Sequence, residues 1–71
     1  MTDYKGWQIE AQTKPAPDAD GWRVYVIVSI AAAGAMRTVP LSFKDGRVFV
    51  TEAAAMDAGM QLAQVWIDRQ G

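Results

Sequence analysis

The side chains that could do chemistry in this chain are carboxylates, hydroxyls, amines and guanidinium groups, because its 71 residues include no histidine and no cysteine. The commonest general base, a thiolate nucleophile and the usual zinc ligands are therefore missing. Paired carboxylates could still act as acid and base, but they would have to share one cleft. Glu52, Asp57 and Asp68 fall at different azimuths or at the far end of one predicted helix, which is typical of solvated charges. We therefore expect no catalytic residue, no cofactor and no enzymatic activity.

One short motif, Asp18 to Gly21 with the sequence DADG, resembles a fragment of a calcium-binding loop. A complete loop needs further oxygen ligands and a bidentate glutamate near position twelve. Twelve residues counted from Asp18 end at Ser29, inside a strongly predicted strand. The motif therefore indicates a polar turn, and we expect no metal.

The charge balance and the hydropathy pattern disfavour two kinds of partner. Seven basic and eight acidic side chains give a net charge of −1, whereas nucleic-acid-binding domains are usually strongly basic. The longest apolar run, residues 24–36, is interrupted by Ser29 and Gly34 and is too broken to span a membrane. The first twenty residues contain no basic segment followed by an apolar one, as a secretory signal would. These features predict a cytoplasmic protein that does not contact a membrane.

Alternating apolar and polar residues predict three strands, at about residues 4–13, 22–32 and 36–44. The second strand has the highest content of β-branched and aromatic residues and is predicted to be central. The third contains Pro40, which cannot donate a hydrogen bond and therefore places this strand at an edge. Val48 to Val50 fits either a short fourth strand or an anchored loop.

The segment between the first two strands contains two prolines and an Asp-Gly turn signal. It should be the most accessible and mobile part of the chain. It consists of Lys14, Pro15, Ala16, Pro17, Asp18, Ala19, Asp20 and Gly21.

A helix is predicted at about residues 52–69, with Thr51 as its N-cap. Gly59 costs about 1 kcal/mol relative to alanine in a helix interior. Gly59 and Ala63 lie near the middle of the apolar side, where a close approach to the sheet would offset that cost. The apolar side comprises Ala53, Met56, Gly59, Met60, Ala63 and Ile67.

These elements predict a single α+β domain over residues 1–71, in which a three-stranded antiparallel sheet packs against one C-terminal helix in the order βββα.

The chain resembles a group of short proteobacterial, Burkholderia-like proteins without an assigned function. They open with a YxGWxI-like strand and close with an A…G…A..WID-like helix. The matching residues here are Tyr4, Gly6, Trp7, Ile9, Ala55, Gly59, Ala63, Trp66, Ile67 and Asp68. They are packing residues, so the resemblance implies a fold and no activity.

The layout is also similar to the βββα part of the double-stranded RNA-binding domain. That family has a further N-terminal helix without a counterpart in this sequence, and it contacts phosphates with a basic start to its last helix. Here that start, residues 51–57, reads TEAAAMD and is acidic, so it would repel phosphate. The similarity therefore extends to the fold and not to RNA binding.

The outer face, which is the side of the predicted sheet turned away from the helix, carries aromatic and cationic residues. Tyr4, Tyr25 and Ile27 are predicted on this face, with Arg23 and Lys44 beside them. Such residues stack nucleic-acid bases on some open sheets, but more often they fill cross-strand positions. The structural interpretation is favoured, followed by a contact with another protein.

The helix flank consists of Ala58, Leu62, Val65 and Trp66. We predict that the sheet leaves this flank uncovered, because the apolar arc of the helix is wider than one sheet face usually covers. Core packing is the favoured interpretation of this stripe, and contact with a partner is the alternative.

The leading functional hypothesis is a small non-enzymatic domain that binds another protein or its own copy. Weak nucleic-acid binding through the outer face is the first alternative, with Arg23, Arg37, Lys44 and Arg47 supplying the charge. The second alternative is the binding of a small molecule.

Overall fold

Four antiparallel strands form one sheet in the computed structural model, which describes residues 2–18 and 20–70, and one helix lies across the sheet. The spatial order of the strands follows the chain, so each strand pairs with the one before it. The elements are β1 (Thr2–Tyr4), β2 (Trp7–Pro15), β3 (Trp22–Ala32), β4 (Ala35–Ser42) and α1 (Glu52–Gln70). This arrangement confirms the predicted α+β class and the C-terminal helix. As predicted, β3 is an interior strand, and β4, which contains Pro40, is an edge strand.

The first predicted strand is in fact a hairpin. Lys5 and Gly6 have φ angles of +50° and +86°, and two consecutive positive values are typical of a type I′ turn. The chain therefore folds back, and Tyr4 pairs with Trp7. The extra strand of the sheet is thus β1 at the N-terminal end, which the alternation pattern could not separate from β2.

Two predicted boundaries of the loop and the third strand were also wrong. Lys14 and Pro15 belong to β2, where they pair with Arg23 and Trp22. β1 pairs only with residues 7–9, so Pro15 lies where β2 is a sheet edge and a missing N–H is tolerated. At the other end of the sheet, β4 stops at Ser42, two residues before the predicted end.

The segment around Phe49 forms a single bridge and not a strand. Its backbone N and O exchange hydrogen bonds with the O and N of Trp22, at 2.8 and 2.7 Å. This bridge attaches the connection between β4 and α1 to the first residue of β3. Val48 to Val50 therefore form an anchored loop and not a fourth strand.

The core lies between α1 and the inner face of the sheet. From the sheet it contains Trp7, Ile9, Val24, Val26 and Val28. From the helix it contains Ala55, Gly59, Ala63 and Ile67, which recur every four residues and so form one narrow seam.

Met56 and Ala53 were predicted on the apolar side of the helix, but both are exposed, Met56 to 38%. The helix approaches the sheet closely at Gly59, so the seam lies directly against the strands, and Met60 and Trp66 pack at the margin of the core. Ala53 and Met56 belong neither to the seam nor to this half-buried margin, so they remain exposed.

The start of α1 is fixed by its predicted cap. The Thr51 hydroxyl accepts a hydrogen bond from the backbone N of Ala54 at 3.1 Å. In the first turn, Glu52 accepts a hydrogen bond from the Thr13 hydroxyl at 3.0 Å, which connects the helix to β2. In the last turns, the Trp66 ring packs edge-on against Trp7, with 5.2 Å between ring centroids.

Replacing Gly59 by alanine should destabilise the protein, although alanine is the better helix former. A Cβ atom at this position would lie 2.6 Å from Cγ2 of Val24 and 3.0 Å from Cγ2 of Val26. Overpacking of this kind typically costs about 1–3 kcal/mol, which exceeds the gain of about 1 kcal/mol in helix propensity. Urea denaturation should show a lower midpoint for Gly59→Ala.

Two further variants control this experiment. Gln61→Ala, at an exposed position of the same helix, should change the free energy of unfolding by less than about 0.5 kcal/mol. Adding Val24→Ala to Gly59→Ala should cost less than Val24→Ala costs alone, because the methyl group then occupies vacated space. A Gly59→Ala protein more stable than the parent would contradict the close approach.

Replacing Ala33 by asparagine should stabilise the β3–β4 hairpin. Ala33 has a φ angle of +51° and precedes Gly34 at +79°, so the turn requires two left-handed residues. The left-handed conformation costs a residue such as alanine roughly 1–2 kcal/mol, and asparagine tolerates it better. We expect Ala33→Asn to raise the free energy of unfolding by about 0.5–1 kcal/mol, measured by urea denaturation. Ala32→Asn, within β3, should not stabilise, and equal effects of the two substitutions would refute the turn geometry.

Candidate functional site

The outer face of the sheet is not covered by the helix, which packs against the opposite side. The strand register places its residues in rows across the sheet. Gln12, Tyr25 and Ser42 form one row, and the next row contains Glu10, Ile27 and Pro40. A third row contains Lys14 and Arg23.

Tyr25 and Ile27 lie at the centre of the outer face, as predicted, with 42% and 39% of their surface exposed. The ammonium group of Lys14 lies 5.7 Å from the centroid of the Tyr25 ring, in cation–π range. Along β2, Glu10 and Lys14 are each two residues from Gln12, the cross-strand neighbour of Tyr25. An aromatic residue is therefore flanked by one negative and one positive charge.

Tyr4 and Lys44 do not belong to the outer face, contrary to prediction. Tyr4 pairs with Trp7, which is in the core, and it is half-buried on the helix side of the sheet. The hairpin at Lys5 and Gly6 resets the alternation, so counting along one continuous strand assigned Tyr4 to the wrong face. Lys44 lies in the turn that follows β4 and not in a strand.

Tyr4 instead takes part in a polar cluster at the C-terminal end of α1. Its hydroxyl donates a hydrogen bond to Oδ1 of Asp68 at 2.9 Å, and Nζ of Lys5 donates to the same oxygen at 2.6 Å. The Lys5 hydrogen bond is the main cause that lowers the pKa of Asp68, and the Tyr4 hydrogen bond adds to it. The bond to Asp68 likewise raises the pKa of both Lys5 and Tyr4. The two donors offset the unfavourable position of a carboxylate in the last turn of a helix.

The helix flank lies on the other side of the sheet, so the structure does not bring it together with Tyr25 and Ile27. Trp66 is half-buried against Trp7, and Val65 is 50% exposed. Leu62 is half-buried and lines a cavity of about 260 Å³ between the helix and the end of β4. The remaining lining residues are Phe43, Arg47, Ala58, Gln61 and Val65.

The four cations proposed for nucleic-acid binding do not share one surface. Arg37 pairs with Ile30 and lines a cavity on the helix side together with Lys5 and Trp7. Arg23 lies at one end of the outer face, and Arg47 and Lys44 lie in the connection after β4.

Arg23 and Arg47 nevertheless line one cavity, of about 100 Å³, at the basic end of the outer face. Sequence reasoning named both residues without placing them together. They meet because the Phe49–Trp22 bridge returns the chain after β4 to the start of β3. Tyr25 and Phe43 also line this cavity, so two guanidinium groups and two aromatic rings border one concave site.

The acidic residues give no comparable site. In the part of the chain that the structure describes, no three histidine, cysteine, aspartate or glutamate residues are grouped as a metal would require. Of the DADG motif, Asp18 and Asp20 are exposed, and Ala19 lies outside the described residues. The backbone N of Ala16 donates to the O of Gly21 at 3.0 Å, which closes the base of this loop. Its mobility stays a prediction.

The pKa of Asp68 should depend on Lys5. We expect the carboxyl group to titrate below its ordinary value of 3.8 in the parent protein and to move towards that value in Lys5→Met. Because the folded-state pKa of Asp68 is lowered, its contribution to stability is present above the unfolded pKa and is lost as pH falls through the folded one. The pKa values of Lys5 and Tyr4 are raised, so their contributions to stability are present below the unfolded pKa values and are lost as pH rises through the higher folded ones.

NMR titration of the Asp68 carboxyl carbon gives the direct measurement. Lys44→Met is the matched control, since it removes an ammonium group outside this cluster. Because the Lys5 and Asp68 side chains are 60% and 46% exposed, added salt should reduce the shift. An Asp68 pKa that is unchanged in Lys5→Met would show that the hydrogen bond does not persist in solution.

Among the described residues, no helix has the length and apolar character needed to cross a membrane. Comparison of the chain with family models, with curated proteins and with solved structures gives no match. The resemblances drawn from the sequence therefore stay predictions, and a function has to be argued from the surfaces of this fold.

Proposed function

We propose that this chain is a small, non-enzymatic, cytoplasmic interaction domain that binds a second copy of itself through the outer face. One observation carries the proposal: opposite charges lie at equal spacing along β2 on either side of the row that holds an exposed aromatic residue. Glu10 and Lys14 are each two residues from Gln12, and Gln12 is the cross-strand neighbour of Tyr25. The Glu10 and Lys14 positions are therefore complementary to the same two positions of a second copy.

The pairing follows from a two-fold axis that lies between the two outer faces and runs across the strands through the row of Gln12 and Tyr25. The axis reverses the strand direction, so Glu10 of each copy faces Lys14 of the other. Sheets packed face to face lie about 10 Å apart, a distance that two long side chains can bridge. The Tyr25 rings of the two copies meet at the axis, where aromatic contact adds to the burial of apolar surface. Such an interface is isologous, as in most homodimers.

The apolar part of the outer face is small, which sets the expected strength of association. Tyr25 and Ile27 are the large exposed apolar residues at its centre, and Pro40 lies beside Ile27. Interfaces that bury less than about 1,200 Å² in total belong to weak or transient complexes. We therefore expect a dimer that dissociates on dilution and that weakens as salt screens its charge pairs.

Nucleic-acid binding through the same face is less well supported. Glu10 lies in the row next to Tyr25, where the backbone of a stacked strand would bring phosphate groups. Arg37 lies on the helix side and cannot contribute charge to this face.

Charge reversal at the proposed interface should weaken the dimer in a predictable pattern. Glu10→Lys and Lys14→Glu each place like charges opposite one another twice, so each should lower the association constant at least about tenfold. An equal mixture of the two variants should form a heterodimer, because every facing pair is again of opposite charge. The double variant should associate with itself for the same reason. Sedimentation equilibrium up to the millimolar range, at low and high salt, measures all four cases.

Control variants separate this interface from other surfaces. Asp57→Lys makes the same charge change as Glu10→Lys on the exposed side of the helix and should leave association unchanged. Tyr25→Thr should weaken association, whereas Val65→Gln on the helix flank should not. The proposal fails if the protein is monomeric at every concentration, or if Val65→Gln dissociates the dimer and Tyr25→Thr does not. Binding of single-stranded DNA that is lost in Tyr25→Thr would assign the outer face to nucleic acid instead.

A further inference from the structure

The cavity at the basic end of the outer face combines positive charge with an apolar lining. Its charged lining residues are Arg23, which precedes the buried part of β3, and Arg47, from the connection after β4. The other lining residues are Val24, Tyr25, Ser42, Phe43 and Gly46. At about 100 Å³ the cavity is larger than a single water needs, so a carboxyl group and the atoms beside it can enter.

Arg23 has unused hydrogen-bonding capacity at this place. Its Nε atom is buried and has no hydrogen-bond partner among the described residues. A buried donor without an acceptor is unfavourable, and an arginine fork is shaped to hold a planar carboxylate. Because Arg23 lines the cavity, an anion there would supply an acceptor once the side chain turns its guanidinium group towards it.

Arg47 is only partly neutralised. Its Nη2 atom lies 3.3 Å from Oδ2 of Asp45, a long contact at an exposed position, and its guanidinium group lies 5.1 Å from the centroid of the Phe43 ring. The ring holds the guanidinium beside the cavity, while Asp45 reduces the positive potential there. The backbone N of Arg47 also donates to Oδ1 of Asp45 at 3.0 Å, which fixes the turn and would persist with asparagine.

We propose that this cavity binds a monovalent carboxylate carried on an aromatic or other apolar group. The two guanidinium groups hold the carboxylate, and Phe43 and Tyr25 pack against the attached group. A phosphate dianion fits less well, because it needs more donors than a largely apolar lining offers. The backbone N of Gly46, a further lining residue, is already bonded to the O of Phe43 at 3.2 Å. The proposal does not depend on self-association.

NMR titration of the full chain, at a protein concentration below the range of self-association, tests the site with four probes. Benzoate represents a free aromatic acid, and N-acetylphenylalanine represents the carboxyl terminus of a peptide. N-acetylphenylalaninamide lacks the carboxylate, and inorganic phosphate provides a different anion. Both carboxylates should produce saturable shifts at Arg23, Tyr25, Phe43 and Arg47, and the tighter of the two identifies the source of the natural ligand.

Three variants make the result specific. Arg23→Met keeps the aliphatic stem and should weaken binding about tenfold or more, as expected for the loss of a charged hydrogen-bonding partner. Arg69→Met removes the same charge in the last turn of α1 and should leave binding unchanged. Asp45→Asn keeps the turn but releases Arg47 and should tighten binding several-fold, so the test does not depend on a loss of function alone.

Several outcomes would overturn the assignment. They are the absence of saturable shifts with both carboxylates, equal binding of the amide, tighter binding of phosphate than of benzoate, and equal losses in Arg23→Met and Arg69→Met. Unchanged affinity in Asp45→Asn would show that Arg47 does not hold the carboxylate.

Discussion

The contact between Gly59 and the valines of β3 determines how the rest of the molecule is arranged. A Cβ atom at Gly59 would lie 2.6 Å from a methyl carbon of Val24, so the helix rests on the sheet at a distance that only glycine permits. Because the seam continues through Ala55 and Ala63, the helix lies close to β2 and β3 along its length and leaves the inner side of β4 less covered. The cavity beside Leu62 and the half-buried state of Val39 and Leu41 follow from this position.

A single helix can cover only one face of a sheet, so the inner face is buried and the outer face is exposed to solvent. The inner face holds every large fully buried side chain among the described residues, namely Ile9, Val26 and Val28. The outer face contributes little to the core and is therefore able to carry charges and an exposed tyrosine at small energetic cost. The proposed dimer contact and the proposed carboxylate site both lie on or beside this second face, where sequence changes can alter binding without unfolding the protein.

Much of this fold could be predicted from the sequence, because period-two alternation and strong local signals agree. The position of β3, the edge position of β4 with Pro40, the Thr51 cap and the role of Gly59 all follow from residue types and spacing. The β1–β2 hairpin could not be predicted by alternation. The apolar and polar residues still appear to alternate through the two-residue turn, although the turn moves Tyr4 to the opposite face of the sheet. The one available signal of this hairpin was Gly6 after Lys5, which fits a type I′ turn. The position of Arg23 and Arg47 at one cavity depends on the backbone bridge between Phe49 and Trp22, a long-range contact without any local pattern.

The two prolines of the sheet have a consequence for the size of any assembly. Pro40 lies within β4, and Pro15 ends β2 where β1 no longer covers it. An open strand edge can recruit further strands without limit and so grow into a fibre, but a missing N–H interrupts the ladder that such growth requires. Both lateral margins of this sheet are thus poor templates for polymerisation. The proposed association through one face about a two-fold axis would close after two copies, so it would give a dimer and not a polymer.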